Sequence, residues 1–140
     1  MLSMDPRLSF VTLVVRDLDA SRRFYVEGLG WPAEFEAPGE VVMIRVADKV
    51  VFSLWQERDA VGELGQIGRA DGAPPFSLAH NVATPSEVDR VIAEAAAAGA
   101  TVVRAPTARD WGGYSGYFAD PDGFRWEVAY NPGPVGQSVL

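Results

Sequence analysis

A strand, a helix and three further strands can be read twice along this chain, and that doubled order constrains the fold more than any single motif. In the first half, residues 8–16 are rich in β-branched side chains and predict a strand. Asp17-Leu18-Asp19-Ala20-Ser21 then offers capping side chains to a short helix carrying Phe24, Tyr25 and Leu29, which Gly28 and Gly30 close. Residues 31–37, 41–46 and 50–56 predict three strands, parted by Pro38-Gly39 and Asp48-Lys49. The second half repeats the order, with a strand over 75–83, a helix over 85–98 and strands over 101–105, 114–119 and 124–130. Its helix has Thr84 and Glu87 in a capping-box relation, Pro85 at the first helical position and Gly99 just past the end. Val88, Ile92, Ala95 and Ala96 form the stripe expected to face a sheet. The expectation is an α+β fold of two βαβββ modules in one domain of 140 residues: module one 8–56, module two 75–132 and a tail 133–140. Between the modules, 57–74 places four glycines among acids and ends in Pro74-Pro75, which suggests a connector or flap rather than a core element.

Composition narrows the class of partner. No apolar run approaches the roughly 20 residues of a membrane helix, and residues 1–7 lack the regions of a signal peptide, so a cytoplasmic location is expected. Cysteine is absent, which removes disulfides, thiolate metal sites and thiol chemistry. Nineteen acids against twelve bases give a charge of -7, and no basic cluster exceeds Arg22-Arg23. That balance argues against nucleic acid and anionic membranes and suits a cationic or neutral small molecule.

One carboxylate carries the chemical question. Asp120-Pro121-Asp122-Gly123 predicts a tight turn, because Pro121 presets φ, Asp120 can bond back to the backbone and Gly123 tolerates positive φ. In the strand that follows, Phe124, Trp126, Val128 and Tyr130 share one face, while Arg125, Glu127 and Ala129 share the other. Glu127 therefore points away from the large apolar side chains, onto a face that is either solvated or a site.

The run Asp17 to Ser21, Phe24-Tyr25, Gly28-Leu29-Gly30-Trp31 and the Asp120 to Gly123 turn resembles the vicinal oxygen chelate superfamily, which includes glyoxalase I, fosfomycin-resistance enzymes, extradiol dioxygenases and bleomycin-resistance proteins. The likeness runs from about Leu8 to Pro132. It implies modules whose sheets curl into a cup around a ligand, often completed by a homodimer. It also implies His or Glu metal ligands on the first and last strand of each module. The matching positions here are Phe10, Ser53, Ser77 and Glu127, of which Glu127 alone is a good ligand, so no metal cofactor is expected.

With Glu127 facing the cup, alternation places Phe10, Thr12, Ser53, Trp55, Ser77 and Asn81 on the same concave surface. Trp111-Gly112-Gly113-Tyr114 adds a glycine-rich approach with flanking rings, so Trp111 and Tyr114 join the expected ligand-binding set; the alternative is a hairpin whose rings fill core space. Tyr114 and Tyr117, three apart, cannot both face the cup. His80 falls on the opposite strand face from Ser77, where a packed histidine is expected rather than a ligand. A carboxylate among aromatic rings suits binding of a cationic or aromatic compound, as in the bleomycin-resistance proteins. The competing reading makes the chain a lyase, isomerase or dioxygenase-type enzyme with Glu127 as general base or, with His80, as metal ligand.

Overall fold

The computed structural model describes residues 4–140. The first half contains β1 (Phe10–Val15), α1 (Leu18–Arg22) running into a π-helical turn (Arg23–Gly28), β2 (Phe35–Ala37), β3 (Val41–Ala47) and β4 (Val50–Gln56). After α2 (Glu57–Leu64) come β5 (Leu78–Asn81), α3 (Pro85–Ala97), β6 (Thr101–Ala108), β7 (Tyr114–Ala119), β8 (Arg125–Tyr130) and α4 (Pro134–Ser138). Two four-stranded mixed sheets result, in the orders β1-β4-β3-β2 and β5-β8-β7-β6, and the fold is α+β. In each, the first and last strand of the half pair in parallel and the other pairs are antiparallel.

Both helices begin where their caps place them. Asp17 Oδ1 accepts the backbone N–H of Ala20 at 3.1 Å, and Thr84 Oγ1 accepts that of Glu87 at 3.3 Å. Glu87 reaches back to the N–H of Ala83 at 3.0 Å, so the box closes one residue earlier than its usual form. The first helix then loosens: the N–H of Leu29 bonds the carbonyl of Phe24 at 2.8 Å, five residues back. Phe24 and Tyr25, though consecutive, are both buried there. Val88, Ile92 and Ala95 of α3 are buried, whereas Ala96 is exposed and does not belong to the stripe.

The helix-facing sides of the two sheets share one core. Leu13, Ile44, Phe52 and Leu54 of the first sheet meet Phe118, Trp126 and Val128 of the second around Phe24, Tyr25 and α3. Ring centroids of Phe52 and Trp126 lie 5.7 Å apart, and Phe24 lies 6.0 Å from Phe118. Close approach also requires Gly28, where a Cβ would stand 2.6 Å from that of Ala98 at the end of α3.

Both acids of the Asp120 to Gly123 turn join the halves. Oδ1 of Asp120 accepts the N–H groups of Asp122 and Phe124 at 3.0 and 2.9 Å, and Oδ2 accepts the Tyr25 hydroxyl at 2.6 Å. Tyr25 in turn accepts the Trp126 indole N–H at 2.8 Å. Burial pushes the Asp120 carboxyl above its ordinary pKa against the opposing pull of these hydrogen bonds, and burial followed by the Asp120 charge pushes Tyr25 well up. Asp122 accepts the Arg16 N–H at 3.0 Å and the Arg69 guanidinium at 2.9 Å, and Arg69 also donates to the Val14 carbonyl. Gly123 takes φ 93°, as the turn requires.

Three expectations need correction. Residues 31–37 form a strand only over Phe35–Ala37, because Pro32 lacks a donor and Trp31 turns into the aromatic core, 5.7 Å from Tyr25. The strand expected over 75–83 is confined to Leu78–Asn81, beyond the paired prolines. The segment 57–74 opens with α2, whose Ala60 is completely buried, so part of it belongs to the core.

Candidate functional site

β8 alternates as its sequence dictates. Trp126 and Val128 are buried on the helix-facing side, and Glu127 points outward, half-buried. Cross-strand register assigns its neighbours, since directly paired residues share a face. Ala79 of β5 and Tyr117 of β7 flank Glu127, while Asn81 and Ser115 flank Ala129. The Tyr117 hydroxyl donates to Glu127 Oε2 at 2.8 Å. Desolvation, then the hydrogen bond and charge of Glu127, raise the Tyr117 pKa, with Arg109 opposing, so the phenol remains a donor at neutral pH. Arg109 is held by Ser115, through Oγ at 2.9 Å and the carbonyl at 3.0 Å, and its guanidinium carbon lies 5.8 Å from the Tyr117 ring centre. The outward face of the second sheet thus carries a carboxylate, a phenol and a guanidinium in contact.

The outward face of the first sheet differs. Thr12 pairs with Ser53, Phe10 with Val51 and Val14 with Trp55, so Phe10, Thr12, Ser53 and Trp55 share the side expected of them. Phe10 is 52% exposed and Ser53 is buried. This group and the Glu127 group do not converge within one chain. The helix-facing sides of the sheets meet each other through Phe52, Tyr25 and Trp126, and among the described residues no contact joins the two outward groups.

Four further residues of the expected set are placed as follows. Asn81 lies on the Glu127 face, and Ser77 sits in exposed chain just before β5. Tyr114 lies on the other side of its strand and donates to Asp89 of α3 at 2.7 Å, so it is not beside Glu127. Trp111 is 52% exposed and its ring lies against Gly113, where any Cβ would overlap it; the second glycine accommodates its own neighbour's ring. Tyr117 is the residue missed. The signal was available in the turn: the Asp120 N–H bonds the Phe124 carbonyl, and counting outward from that pair sets Tyr117 opposite Glu127. His80 pairs with Val128 and takes the helix side, as parity predicts, but it is exposed and makes no side-chain hydrogen bond among the described residues, so it is not the packed, hydrogen-bonded histidine expected.

A family model described as the Glyoxalase/Bleomycin resistance protein/Dioxygenase superfamily matches residues 7–128. The chain belongs to this superfamily. A glyoxalase-related enzyme from Fulvimarina pelagi is 35% identical, with 91% of this chain and 89% of that chain covered and a TM-score of 0.81. A glyoxalase/bleomycin resistance protein/dioxygenase from Nocardioides is 25% identical over 94% of this chain and 91% of that chain, with a TM-score of 0.74. A lactoylglutathione lyase from Agrobacterium tumefaciens, 21% identical over 92% of this chain and 96% of that one, shares the fold at a TM-score of 0.70. No curated protein matches the chain.

Metal-dependent members of the superfamily need several convergent nitrogen or oxygen ligands. The positions that the resemblance matches to such ligands hold Phe10, Ser53, Ser77 and Glu127, and the carboxylate of Glu127 is already bonded to Tyr117. Among the described residues no three His, Asp or Glu side chains are grouped to hold an ion. This donor set does not fit a divalent metal.

Proposed function

We propose that this superfamily member binds a small organic molecule, cationic or aromatic, against the Glu127 face of the second sheet, and does so in the cytoplasm without a metal centre. The observation that carries this reading is the Tyr117–Glu127 pair, a carboxylate fixed by a phenol on an outward face, with Asn81 two residues along on the same face. A ligand cation would gain charge pairing with Glu127; the Tyr117 ring already carries Arg109, so any further ring contact has to come from elsewhere in the cup. The net charge of -7 favours the approach of such a ligand.

The aromatic wall of the cup comes, in this reading, from a second copy. Phe10, Thr12, Ser53 and Trp55 lie on the outward face of the first sheet, β1 and β5 are sheet edges, and among the described residues no contact joins the two outward groups within one chain. A homodimer that sets one copy's first sheet beside the other's second sheet would bring both groups around one ligand. Light scattering on the eluting protein should give twice 15.1 kDa, and Phe10→Arg should shift it to the monomer. A wild-type protein that stays monomeric at all concentrations would overturn the shared cup.

Calorimetric titration with cationic aromatic compounds tests the ligand class: saturable binding in wild type, lost in Glu127→Gln, supports it. A second reading has one specific support. Tyr117 places a proton donor 2.8 Å from a potential base, and the Fulvimarina pelagi relative is described as an enzyme. On that reading a carbonyl compound is turned over, and both Glu127→Gln and Tyr117→Phe abolish turnover with binding retained.

A further inference from the structure

We propose that the crevice between the two sheets, edged by Trp31, Trp126 and His80, is a separate site for a neutral planar aromatic molecule bearing one hydrogen-bonding group, such as a phenol. The crevice encloses about 460 Å³. That lies within the roughly 300–1,000 Å³ typical of small-molecule pockets. Both halves of the chain build it: Val11, Ile44 and Phe52 from the first sheet, Leu78 and Trp126 from the second, and Trp31 between them. Trp31 stands at 82° to Phe52 and 79° to Trp126, with centroids 5.9 and 5.6 Å away. Protein interiors are packed as densely as organic crystals, so an open crevice edged by three such rings is unfilled apolar surface. A flat ring inserted there gains edge-to-face contacts with rings already held at that angle.

His80 supplies the polar contact. Paired with Val128, it points to the helix-facing side, and with Trp31 and Trp126 it lines both this crevice and an adjoining one of about 140 Å³. Desolvation and then the charge of Arg90 hold its pKa below the ordinary value, and no hydrogen bond to its ring contributes. At neutral pH the ring is uncharged, with one N–H to give and one lone pair to accept, which matches a hydroxyl. The nearby cations are already engaged. Arg90 bonds Glu94 at 2.7 Å, and Arg45 bonds both oxygens of Glu34 and the Asp48 carbonyl, each at 3.0 Å. An anionic ligand would find no free partner, which is why the site selects a neutral one.

This site is independent of the Glu127 reading. Ala79, between Leu78 and His80, pairs with Glu127 and also borders the crevice, which therefore reaches around the β5 edge, while His80 and Trp126 lie on the face opposite Glu127. Titration with 2-naphthol followed by NMR separates them, because His80 is the only histidine and the chain has four tryptophans. The expected result is saturable shifts of the His80 ring and of the Trp31 and Trp126 indole signals, with Trp55 and Trp111 unmoved. His80→Leu, at a partly exposed position, should weaken binding about five- to tenfold, the worth of one hydrogen bond, and Glu127→Gln should leave it unchanged. The proposal is overturned if the shifts fall on Trp55 and Trp111, if Glu127→Gln weakens 2-naphthol binding as His80→Leu does, or if no saturable shift occurs. It is equally overturned if the His80 signals move with protein concentration alone, since a second copy would then fill the crevice.

Discussion

The two sheets are built on one plan, with the first and last strands of each half side by side, yet their outward faces carry different chemistry. On the first, the edge strand β1 and its neighbour β4 present Phe10, Thr12, Val14, Val51, Ser53 and Trp55, and the one charged side chain paired with them, Arg45, is bonded to Glu34. On the second, Glu127, Tyr117 and Arg109 form a connected polar cluster. Repetition of a fold therefore has not repeated a site: a metal centre would need donors from both halves, and at the positions the family resemblance implies the first half offers a phenylalanine, Phe10, and one hydroxyl, Ser53. The difference assigns ligand charge recognition to the second sheet and leaves the first as an apolar wall. By contrast, the inward faces of both sheets are alike in being buried and aromatic, and a buried polar joint, Tyr25 to Asp120, lies between them.

The sharpest way to break this division is at that joint. Asp120→Ala leaves a buried tyrosine hydroxyl and two backbone N–H groups without their acceptor, and should cost about 3 kcal/mol of unfolding free energy in urea. A loss below about 1 kcal/mol would mean that the halves are not held together there. The same residue gives a pH test. Its folded pKa is raised, so the folded state binds the proton more tightly than the unfolded state, and protonation stabilises the fold as pH drops into the carboxylate range. The stability of wild type relative to the non-titrating Asp120→Asn should therefore rise as pH falls from neutral, and a fall would contradict the burial of that carboxyl. Next in size, Gly28→Ala forces a Cβ against Ala98 and should cost about 1–3 kcal/mol by overpacking between the helices. Tyr117→Phe removes one bond on the outward face and should cost about 1 kcal/mol or less, measured in the same denaturation experiment. A larger loss would make the Tyr117–Glu127 pair a structural joint like the inner one and erase the contrast.

Much of the inner architecture was legible because it depends on local chemistry. Caps at Asp17 and Thr84, the Asp120 to Gly123 turn and the alternation of β8 are each set by a few neighbouring residues, and parity alone put His80 on the correct side. What escaped depended on distant partners. Trp31 has the β-propensity of an aromatic residue but is drawn out of a strand by Tyr25, Phe52 and Trp126. The acidic, glycine-bearing stretch after Gln56 reads as a connector, yet it contributes Ala60 to the interior. Tyr114 and Tyr117 compete for one face, and only the β7–β8 register decides between them. Likewise, alternation groups Phe10 with Ser53 and separates Glu127 from Trp126, but it says nothing about which way two sheets turn relative to each other. Packing of their inner aromatic residues determines that.

Glu127 is where the account is most directly exposed. Isothermal titration of a cationic aromatic compound, in parallel against wild type, Glu127→Gln and His80→Leu, measures its contribution to recognition. The account predicts saturable binding to wild type and to His80→Leu with equal affinity, and a loss of at least about tenfold in Glu127→Gln, the range expected when a charge-assisted contact is removed. Equal affinity in wild type and Glu127→Gln would contradict it.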